Sequence, residues 1–188
     1  MNSKQKKVLL KLAGNTVKAV LTGRVLPQPE SKDAELNAHC GCFITLKNLG
    51  RLRGCIGQFV SDRPLVELIV ETARASTTGD PRFYNDMVTA AEFEQLDIEI
   101  SVLSPLRYTD DPLSLRLGVD GIYIKRGCAS GCFLPQVADE TGWNKEEFLS
   151  HCCAHKAGLE PDAWKNKDTE VYLFTADVFG ATVKEIEE

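Results

Sequence analysis

The chain has 188 residues, with 22 Lys and Arg against 27 Asp and Glu, and a formal net charge of −5 at pH 7. This acidic balance argues against nucleic-acid binding, which requires clustered basic residues. No run approaches the ~18 apolar residues of a membrane span, and the N-terminal segment lacks the apolar stretch of a secretory signal. The seven cysteines are an odd number. We therefore expect a cytoplasmic protein that contacts no membrane and contains no structural disulfide.

Two amphipathic helices are predicted in the first half of the chain. In residues 4–21, Leu9, Thr16 and Val20 recur at helical spacing. The run Ser61-Asp62-Arg63-Pro64 is typical of a helix start, because it offers a capping side chain and a proline suited to the first turn. The helix that it opens is expected to end near residue 77.

Between these helices, residues 41–59 predict a β-hairpin. Residues 42–46 are rich in aromatic and β-branched side chains, and residues 52–59 form the partner strand. Asn48 and Gly50 are placed for the positive φ angles of the turn. Glycines close to the cysteine of the second strand suggest a bulge, or a point where another backbone or a ligand comes close.

Residues 96–103 show the clearest strand alternation in the chain. Ile98 and Ile100 face inward, whereas Glu99 and Ser101 face the other way. The predicted core comprises apolar residues from the helices and the strands. These residues are Leu9, Ile44, Ile56, Leu68, Ile69, Ile98, Ile100, Val102 and Phe174.

Shorter elements are predicted in the rest of the chain. They are a short helix at 89–94, a brief pairing at 107–108, a helix or turn at 113–117, strands at 122–124 and 132–134 around a loop at 127–131, a brief helix from 135, a helix at 145–156, one strand at 170–179 and a frayed polar tail at 182–188. Hairpins and meanders with helices between them predict an α+β fold. We expect a mainly antiparallel sheet flanked by helices, not βαβ repeats.

The hexapeptide Leu52-Arg53-Gly54-Cys55-Ile56-Gly57 resembles the signature of the AMMECR domain family, called protein A of the AmmeMemoRadiSam system in prokaryotes. Further matches follow in the order of the family. They are residues 80–83, 98–105, 118–122, 133–137, 142–143, 156–159 with Trp164, and 172–174. The resemblance covers nearly the whole chain and implies a single AMMECR-type domain over residues 1–188. It also implies a smaller interleaved subdomain, which we expect at about 110–159.

Cys55 is the candidate nucleophile. Strict alternation would place Arg53 on the same strand face, where its charge would favour the thiolate. A general base could come from Glu99, Asp80 or His39. The alternative is a small buried cysteine in a tight hairpin.

The run Asp80-Pro81-Arg82-Phe83 is the second candidate. Arg82 offers a planar fork for a carboxylate or a phosphate, and we predict that this loop approaches the hairpin. The alternative is an internal Asp80–Arg82 pair that only fixes the loop. The chain departs from the family pattern at Tyr84 and Asn85, where prolines are usual, which leaves the shape of the loop open.

Glu99 and Ser101 could complete a polar floor if their strand face is the one that carries Cys55. The alternative is a sheet with one solvated face. The predicted substrate-binding residues are therefore Arg53, Gly54, Asp80, Arg82 and Ser101, and the predicted catalytic residues are Cys55 and Glu99.

A zinc site is the weaker alternative for the remaining ligand-type residues. His151 and His155 share a face of a predicted helix, and Cys128 and Cys132 precede them. The spacing of the cysteine pair is loose, and these are not ligand positions implied by the family resemblance, so we predict no metal. We also predict no cofactor, because the sequence contains neither a Walker motif nor a dinucleotide fingerprint.

The first functional hypothesis is a cleft lined by Arg53, Cys55, Asp80, Arg82 and Glu99 that binds or modifies a small anionic metabolite or a modified peptide. The family resemblance implies a working partnership with a Memo-like protein and a radical S-adenosylmethionine protein. The alternative is a non-catalytic adaptor that docks a partner through the Leu-Arg-Gly-Cys-Ile-Gly hairpin. An adaptor would have an exposed apolar rim and an unreactive thiol.

Overall fold

The computed structural model describes residues 1–187. The chain divides into two compact units: the first contains Met1–Leu103 and the chain from Asp177 onward, and the second contains Ser104–Ala176. Each unit contains one antiparallel four-stranded sheet, so the predicted α+β class is confirmed. The subdomain expected at about 110–159 lies inside the second unit, which starts earlier and ends later.

The helices and strands are well defined in both units. The helices are α1 (Ser3–Thr22), α2 (Leu65–Thr78), α3 (Gln136–Thr141), α4 (Lys145–Cys152) and α5 (Val183–Glu187). The strands are β1 (Cys42–Asn48), β2 (Arg51–Gln58), β3 (Leu96–Leu103), β4 (Arg107–Thr109), β5 (Gly121–Arg126), β6 (Ala129–Phe133), β7 (Glu170–Phe174) and β8 (Ala176–Thr182). No helix within residues 1–187 is long and apolar enough to cross a membrane.

The first unit packs α1 and α2 against a sheet with the strand order β2-β1-β3-β8. Helix α1 begins at a capping box in which Asn2 and Gln5 exchange hydrogen bonds, and it ends at Gly23. Its buried face includes Leu9, as the periodicity predicts. The inward face of β3 contributes Ile98 and Ile100, which are fully buried.

Most of the predicted core forms one cluster in this unit. Its predicted members are Leu9, Ile44, Leu68, Ile69, Ile98 and Ile100, and Val102 packs partly buried against them. Two assignments are wrong. Ile56 is only half-buried and lies outside the cluster, and Phe174 is buried in the second unit.

Replacing Ile100 with alanine should destabilise the protein by about 2–4 kcal/mol, the usual range for emptying a packed site. The side chain is fully buried in the middle of β3. Urea unfolding followed by circular dichroism would measure the change. A loss below about 0.5 kcal/mol would contradict the assignment of this strand face to the core.

The second unit has the strand order β4-β7-β5-β6. Its core includes Ile122 and Leu173 from the sheet and Phe148 from α4. Helix α4 continues into a π-helical turn, Cys153–Ala157, which ends at Gly158 with φ 66°. The helix predicted at 145–156 is therefore present, although its last turn is wound more loosely.

Two predictions about the C-terminal part are wrong. Residues 170–179 are not one strand, because β7 lies in the second sheet and β8 in the first. The tail is not frayed over its described length, since α5 buries Val183 and Ile186 in the first core. A smaller difference is that β6 starts at Ala129, so the loop before it is shorter than expected.

The turn of the β1–β2 hairpin differs from the prediction in one residue. The positive φ angles belong to Leu49 (φ 49°) and Gly50 (φ 80°), whereas Asn48 is the last residue of β1. A two-residue hairpin turn of this type requires positive φ at both central positions. A leucine there costs about 1–2 kcal/mol of local strain.

Candidate functional site

Strand β2 carries a bulge that changes the position of Arg53. Leu46 pairs with Gly54 and Lys47 pairs with Leu52, so that Arg53 is the extra residue between them. The bulge breaks the strict alternation that placed Arg53 beside Cys55. The expectation that Arg53 supplies the positive charge next to this cysteine is therefore corrected.

Arg53 is instead the centre of a buried ion cluster. Its side chain is 4 % exposed. Nε donates to Glu92 Oε1 at 2.9 Å, Nη1 donates to Asp86 Oδ2 at 2.8 Å, and Nη2 donates to Glu92 Oε2 and to the Met87 carbonyl, both at 3.2 Å. The hydrogen bonds to Glu92 are the largest cause of the raised pKa of Arg53. This arginine ties the hairpin to residues 86–92.

Glu92 is the partner that the sequence analysis missed. Burial alone would raise the pKa of its carboxyl, but hydrogen bonds from Arg53, Asn48 and Thr89 outweigh burial and lower it to about 2. Asn48 donates from Nδ2 to Glu92 Oε1 at 2.9 Å. The only local sequence signal is the Thr89–Glu92 capping box, which predicts a helix start and not an ion pair.

The Asp80–Arg82 loop reaches the backbone of Cys55, so the predicted approach of this loop to the hairpin is confirmed. The Cys55 amide donates to Asp80 Oδ2 at 2.9 Å, and Arg82 Nη2 donates to the Cys55 carbonyl at 3.1 Å. The internal ion pair is also present. Arg82 Nε and Nη2 donate to the two Asp80 oxygens at 2.9 and 2.6 Å. These bonds to Arg82 are the largest cause of the lowered pKa of Asp80, which is about 2.

Prolines at positions 84 and 85 are not needed for the shape of this loop. Pro81–Phe83 form a single 3₁₀ turn, and the Asp80 side chain caps it by accepting from the Arg82 amide. Tyr84 follows the turn and is largely exposed. The loop that clamps Cys55 is therefore fixed by Asp80.

Thr45 lies between Cys55 and Glu99 on the outer face of the sheet. Thr45 pairs with Cys55 on one side and with Glu99 on the other, and Thr45 Oγ1 donates to Cys55 Sγ at 3.3 Å. Glu99 thus shares the face of Cys55 but lies two strands away, or about 10 Å at the usual strand spacing. Its carboxylate is 3.5 Å from Lys47 Nζ.

Ser101 is two residues after Glu99 in β3 and therefore lies on the same face. It pairs with Phe43 and is buried. The outer face of the sheet therefore does bring Cys55, Glu99 and Ser101 together on one side. Arg53 is displaced by the bulge, so the four residues do not form one continuous floor. His39, the third candidate base, is exposed in the segment that precedes β1.

The glycines of the signature are explained by close packing. A Cβ on Gly54 would fall well inside van der Waals contact with the Ser76 carbonyl oxygen in the last turn of α2. Ser76 Oγ also accepts from the Ile56 amide at 3.1 Å and donates to the Ile44 carbonyl at 2.8 Å. A Cβ on Gly57 would meet the Phe43 ring. The predicted close approach is confirmed, and the group that approaches Gly54 is helix α2.

Burial weakens the case for most of the other cysteines as nucleophiles. It raises the pKa of Cys42 to about 12 and that of Cys132 to about 11. Burial also raises the pKa values of the thiols of Cys40, Cys152 and Cys153. The remaining two are Cys55, which is half-buried, and Cys128, which is exposed between β5 and β6.

The residues considered for zinc are arranged differently. The rings of His151 and His155 stack with centroids 5.2 Å apart, and Trp143 stacks on His151 at 4.1 Å. Within the described part of the chain, no group of three or more His, Cys, Asp or Glu is placed to hold a metal ion. The two histidines therefore do not converge with Cys128 and Cys132 on one metal position.

The protein has an α+β fold in which two contacts hold the signature strand β2. Asp86 and Glu92 bind Arg53, and Asp80 and Arg82 bind the backbone of Cys55. The chain belongs to the AMMECR1 family, whose sequence profile matches residues 10–179. An archaeal protein from Methanothermobacter thermautotrophicus is 40 % identical over 180 residues, which cover 92 % of each chain. Protein PH0010 from Pyrococcus horikoshii is 39 % identical over 182 residues, which cover 91 % of this chain and 87 % of that protein.

A crystal structure supports the same relationship. The structure of the uncharacterised protein PH0010 matches this chain with a TM-score of 0.85 and 37 % sequence identity, over 96 % of this chain and 93 % of that chain. At this level of identity the family resemblance of the sequence is confirmed.

Proposed function

We propose that this AMMECR1-family chain acts in the cytoplasm on a small anionic metabolite or a modified peptide, and that Cys55 is its nucleophile or group carrier. The observation that carries the proposal is the position of Arg82. Its guanidinium lies against Cys55 and is held there by Asp80. A cation beside a partly accessible cysteine is the arrangement in which a thiol becomes reactive.

Arg82 keeps hydrogen-bonding capacity for a ligand. Nε and Nη2 are engaged by Asp80 and the Cys55 carbonyl, and Nη1 remains for an incoming anion. The side chain is 56 % exposed. Bonds to Asp80 are the largest cause of the raised pKa of Arg82, and Cys55 contributes to it. A fixed guanidinium edge next to a thiol would orient a carboxylate or a phosphate toward the sulfur.

The other candidate residues take supporting roles in this proposal. Gly54 and Arg53 hold strand β2 in place. Gly54 packs on α2, and Arg53 bonds to Glu92 in the buried ion cluster. Glu99 and Ser101 lie on the face of Cys55, across Thr45. A ligand that extends across this face would meet Glu99 as its proton acceptor.

A partnership with a Memo-like protein and a radical S-adenosylmethionine protein, which the AmmeMemoRadiSam resemblance implies, is part of the same proposal. Radical S-adenosylmethionine chemistry needs an iron–sulfur cluster held by cysteine thiolates, and we assign it to that partner. This chain would then bind the substrate or carry the group on which the partner acts.

Alkylation of the native protein by iodoacetamide at neutral pH, mapped by mass spectrometry, tests the role of Cys55. We expect Cys55 to react faster than Cys42 and Cys152, with the exposed Cys128 as an internal reference. Arg82→Gln should slow the reaction at Cys55 several-fold. Arg51→Gln is the matched control, because Arg51 is exposed and pairs with Asp86.

The Cys55→Ser variant adds a functional test. Its free energy of unfolding should lie within about 1 kcal/mol of the wild-type value, because a serine is nearly the same size as a cysteine. It should nevertheless lose the activity that the intact system shows. Cys55 that reacts only after denaturation, or Cys55→Ser that keeps full activity, would remove the catalytic role.

The adaptor function is the second candidate, and the hairpin turn favours it. Leu49 is 84 % exposed although its backbone has a positive φ. A strained, exposed apolar residue at a loop tip is more often found at functional sites than elsewhere. Tyr84, on the segment that clamps Cys55, is also exposed. An adaptor would bind its partner equally well with Cys55→Ser, which separates it from the enzyme.

A further inference from the structure

Parts of three segments that carry the family resemblance line one small cavity in the second unit. These segments are the end of 98–105, the turn at 118–122 and the strand residues 172–174. The side chains that matter for the cavity are Ser104, Arg107, Arg116, Asp120, Leu173 and Phe174.

Asp120 fixes one wall of this cavity. Its carboxylate is buried and accepts from the Arg116 amide at 2.8 Å, from Nε at 2.9 Å and from Nη2 at 2.8 Å. These bonds engage both oxygens of the carboxylate and hold the guanidinium in one orientation. The Arg116 side chain is nevertheless largely exposed, and its Nη1 is not used by Asp120.

Arg107 supplies a second positive charge on the same cavity. It lies on β4 opposite Leu173 and is exposed. Its charge contributes to the lowered pKa of Asp120, although the bonds from Arg116 are the largest cause. Among residues 1–187, Arg107 forms no salt bridge of its own. Two guanidinium groups therefore face one carboxylate, which leaves one positive charge without compensation.

The size and the floor of the cavity limit what could bind there. Its volume is about 200 Å³. Sites for drug-sized molecules occupy roughly 300–1,000 Å³, so a nucleotide or a larger cofactor would not fit. Leu173 and Phe174 are almost fully buried and contribute an apolar floor. A ligand that matches both features has a charged head and a short apolar body.

We propose that the second unit carries a binding site for a small organic carboxylate, whose head group lies between Arg107 and Arg116 and whose short aliphatic chain lies on Leu173 and Phe174. Planar guanidinium groups match a carboxylate through paired hydrogen bonds, and Asp120 orients one of them in advance. The site is separate from Cys55 and does not depend on the function proposed for it.

Titration of the full-length, ¹⁵N-labelled protein with sodium butyrate at constant ionic strength tests the site by NMR. We expect saturable shifts of the amides near residues 104–107, 116–120 and 173–175, and none at the β1–β2 hairpin. Arg107→Gln should weaken binding about tenfold, because it removes a charged hydrogen-bond donor. Arg126→Gln is the matched control, since Arg126 lies in the same unit and pairs with Glu160.

Each outcome decides the proposal. Arg107 is exposed, so Arg107→Gln should fold even if Arg116→Gln does not. A titration without saturation, or an equal loss with Arg126→Gln, would show that no specific site exists. If sodium phosphate produced the same shifts with the same affinity as butyrate, the proposed preference for a carboxylate and the proposed role of the apolar floor in binding would both be wrong. Weaker phosphate binding would support both.

Discussion

Replacing Gly54 with alanine should destabilise the protein by about 3 kcal/mol or more, at the upper end of the range for overpacking. The backbone of Gly54 has no positive φ, so the penalty comes from contact and not from conformation. The added Cβ would meet the carbonyl oxygen of Ser76, a backbone atom inside α2 that cannot rotate away. Either β2 or the last turn of α2 must shift.

Urea unfolding would measure this loss, and Gly14→Ala provides the matched control. Gly14 lies inside α1, and its Cβ would meet only flexible side-chain atoms of Ile186 and Ile98. Alanine there gains about 1 kcal/mol of helix propensity, which offsets the tighter packing. A Gly54→Ala protein with the midpoint of the wild type would contradict the close packing of β2 on α2.

Replacing Glu92 with glutamine should cost about 3 kcal/mol at pH 7. The Arg53 guanidinium is nearly inaccessible, and without Glu92 only Asp86, which is half exposed, would balance its charge. Removing one partner of a buried pair is strongly destabilising because the other charge stays buried. Glu94→Gln is the control, since Glu94 is an exposed glutamate in the same short 3₁₀ segment.

The pH dependence of this loss provides an independent test. The pKa of Glu92 falls from 4.5 to about 2 on folding. Its stabilising contribution is therefore complete above pH 4.5 and is lost as the pH falls toward 2. The difference between wild type and Glu92→Gln, measured by urea unfolding at several pH values, should shrink across this window. A difference that stays constant between pH 7 and pH 2 would show that the carboxylate charge contributes nothing.

The sequence predicts the parts of the fold that depend on local pattern. Helices α1 and α2 and strand β3 follow from apolar periodicity. The capping side chain expected at the start of α2 is not found, because Pro64 itself takes the N-cap position and no side chain bonds to the helix start, whereas Gly79 ends the helix. The break at Thr175 could not be predicted, because 170–179 contains neither a glycine nor a proline. Its division between two sheets is decided by tertiary pairing, which no local signal encodes.

The candidate site was predictable in the same limited sense. The Asp-Pro turn with its arginine was predicted to approach the hairpin, and Asp80 and Arg82 do bond to the backbone of Cys55. The glycines near Cys55 suggested a bulge, but the displacement of Arg53 was not predictable, because the bulged residue is identified only when the two strands are aligned residue by residue. Glu92 was missed for a related reason. Its partner lies 39 residues away in the chain.

The order in which β3 and β8 are synthesised affects how the first sheet can form. Strand β8 completes the first sheet beside β3, yet it is synthesised only after the whole of the second unit. The second unit is contiguous in the chain and can close as soon as it emerges. Until β8 arrives, nascent β3 presents an open edge next to apolar residues such as Ile98 and Ile100, which is the kind of surface that promotes aggregation. An unfinished chain that ends before residue 176 therefore exposes this edge of β3, which is covered only once β8 has been synthesised.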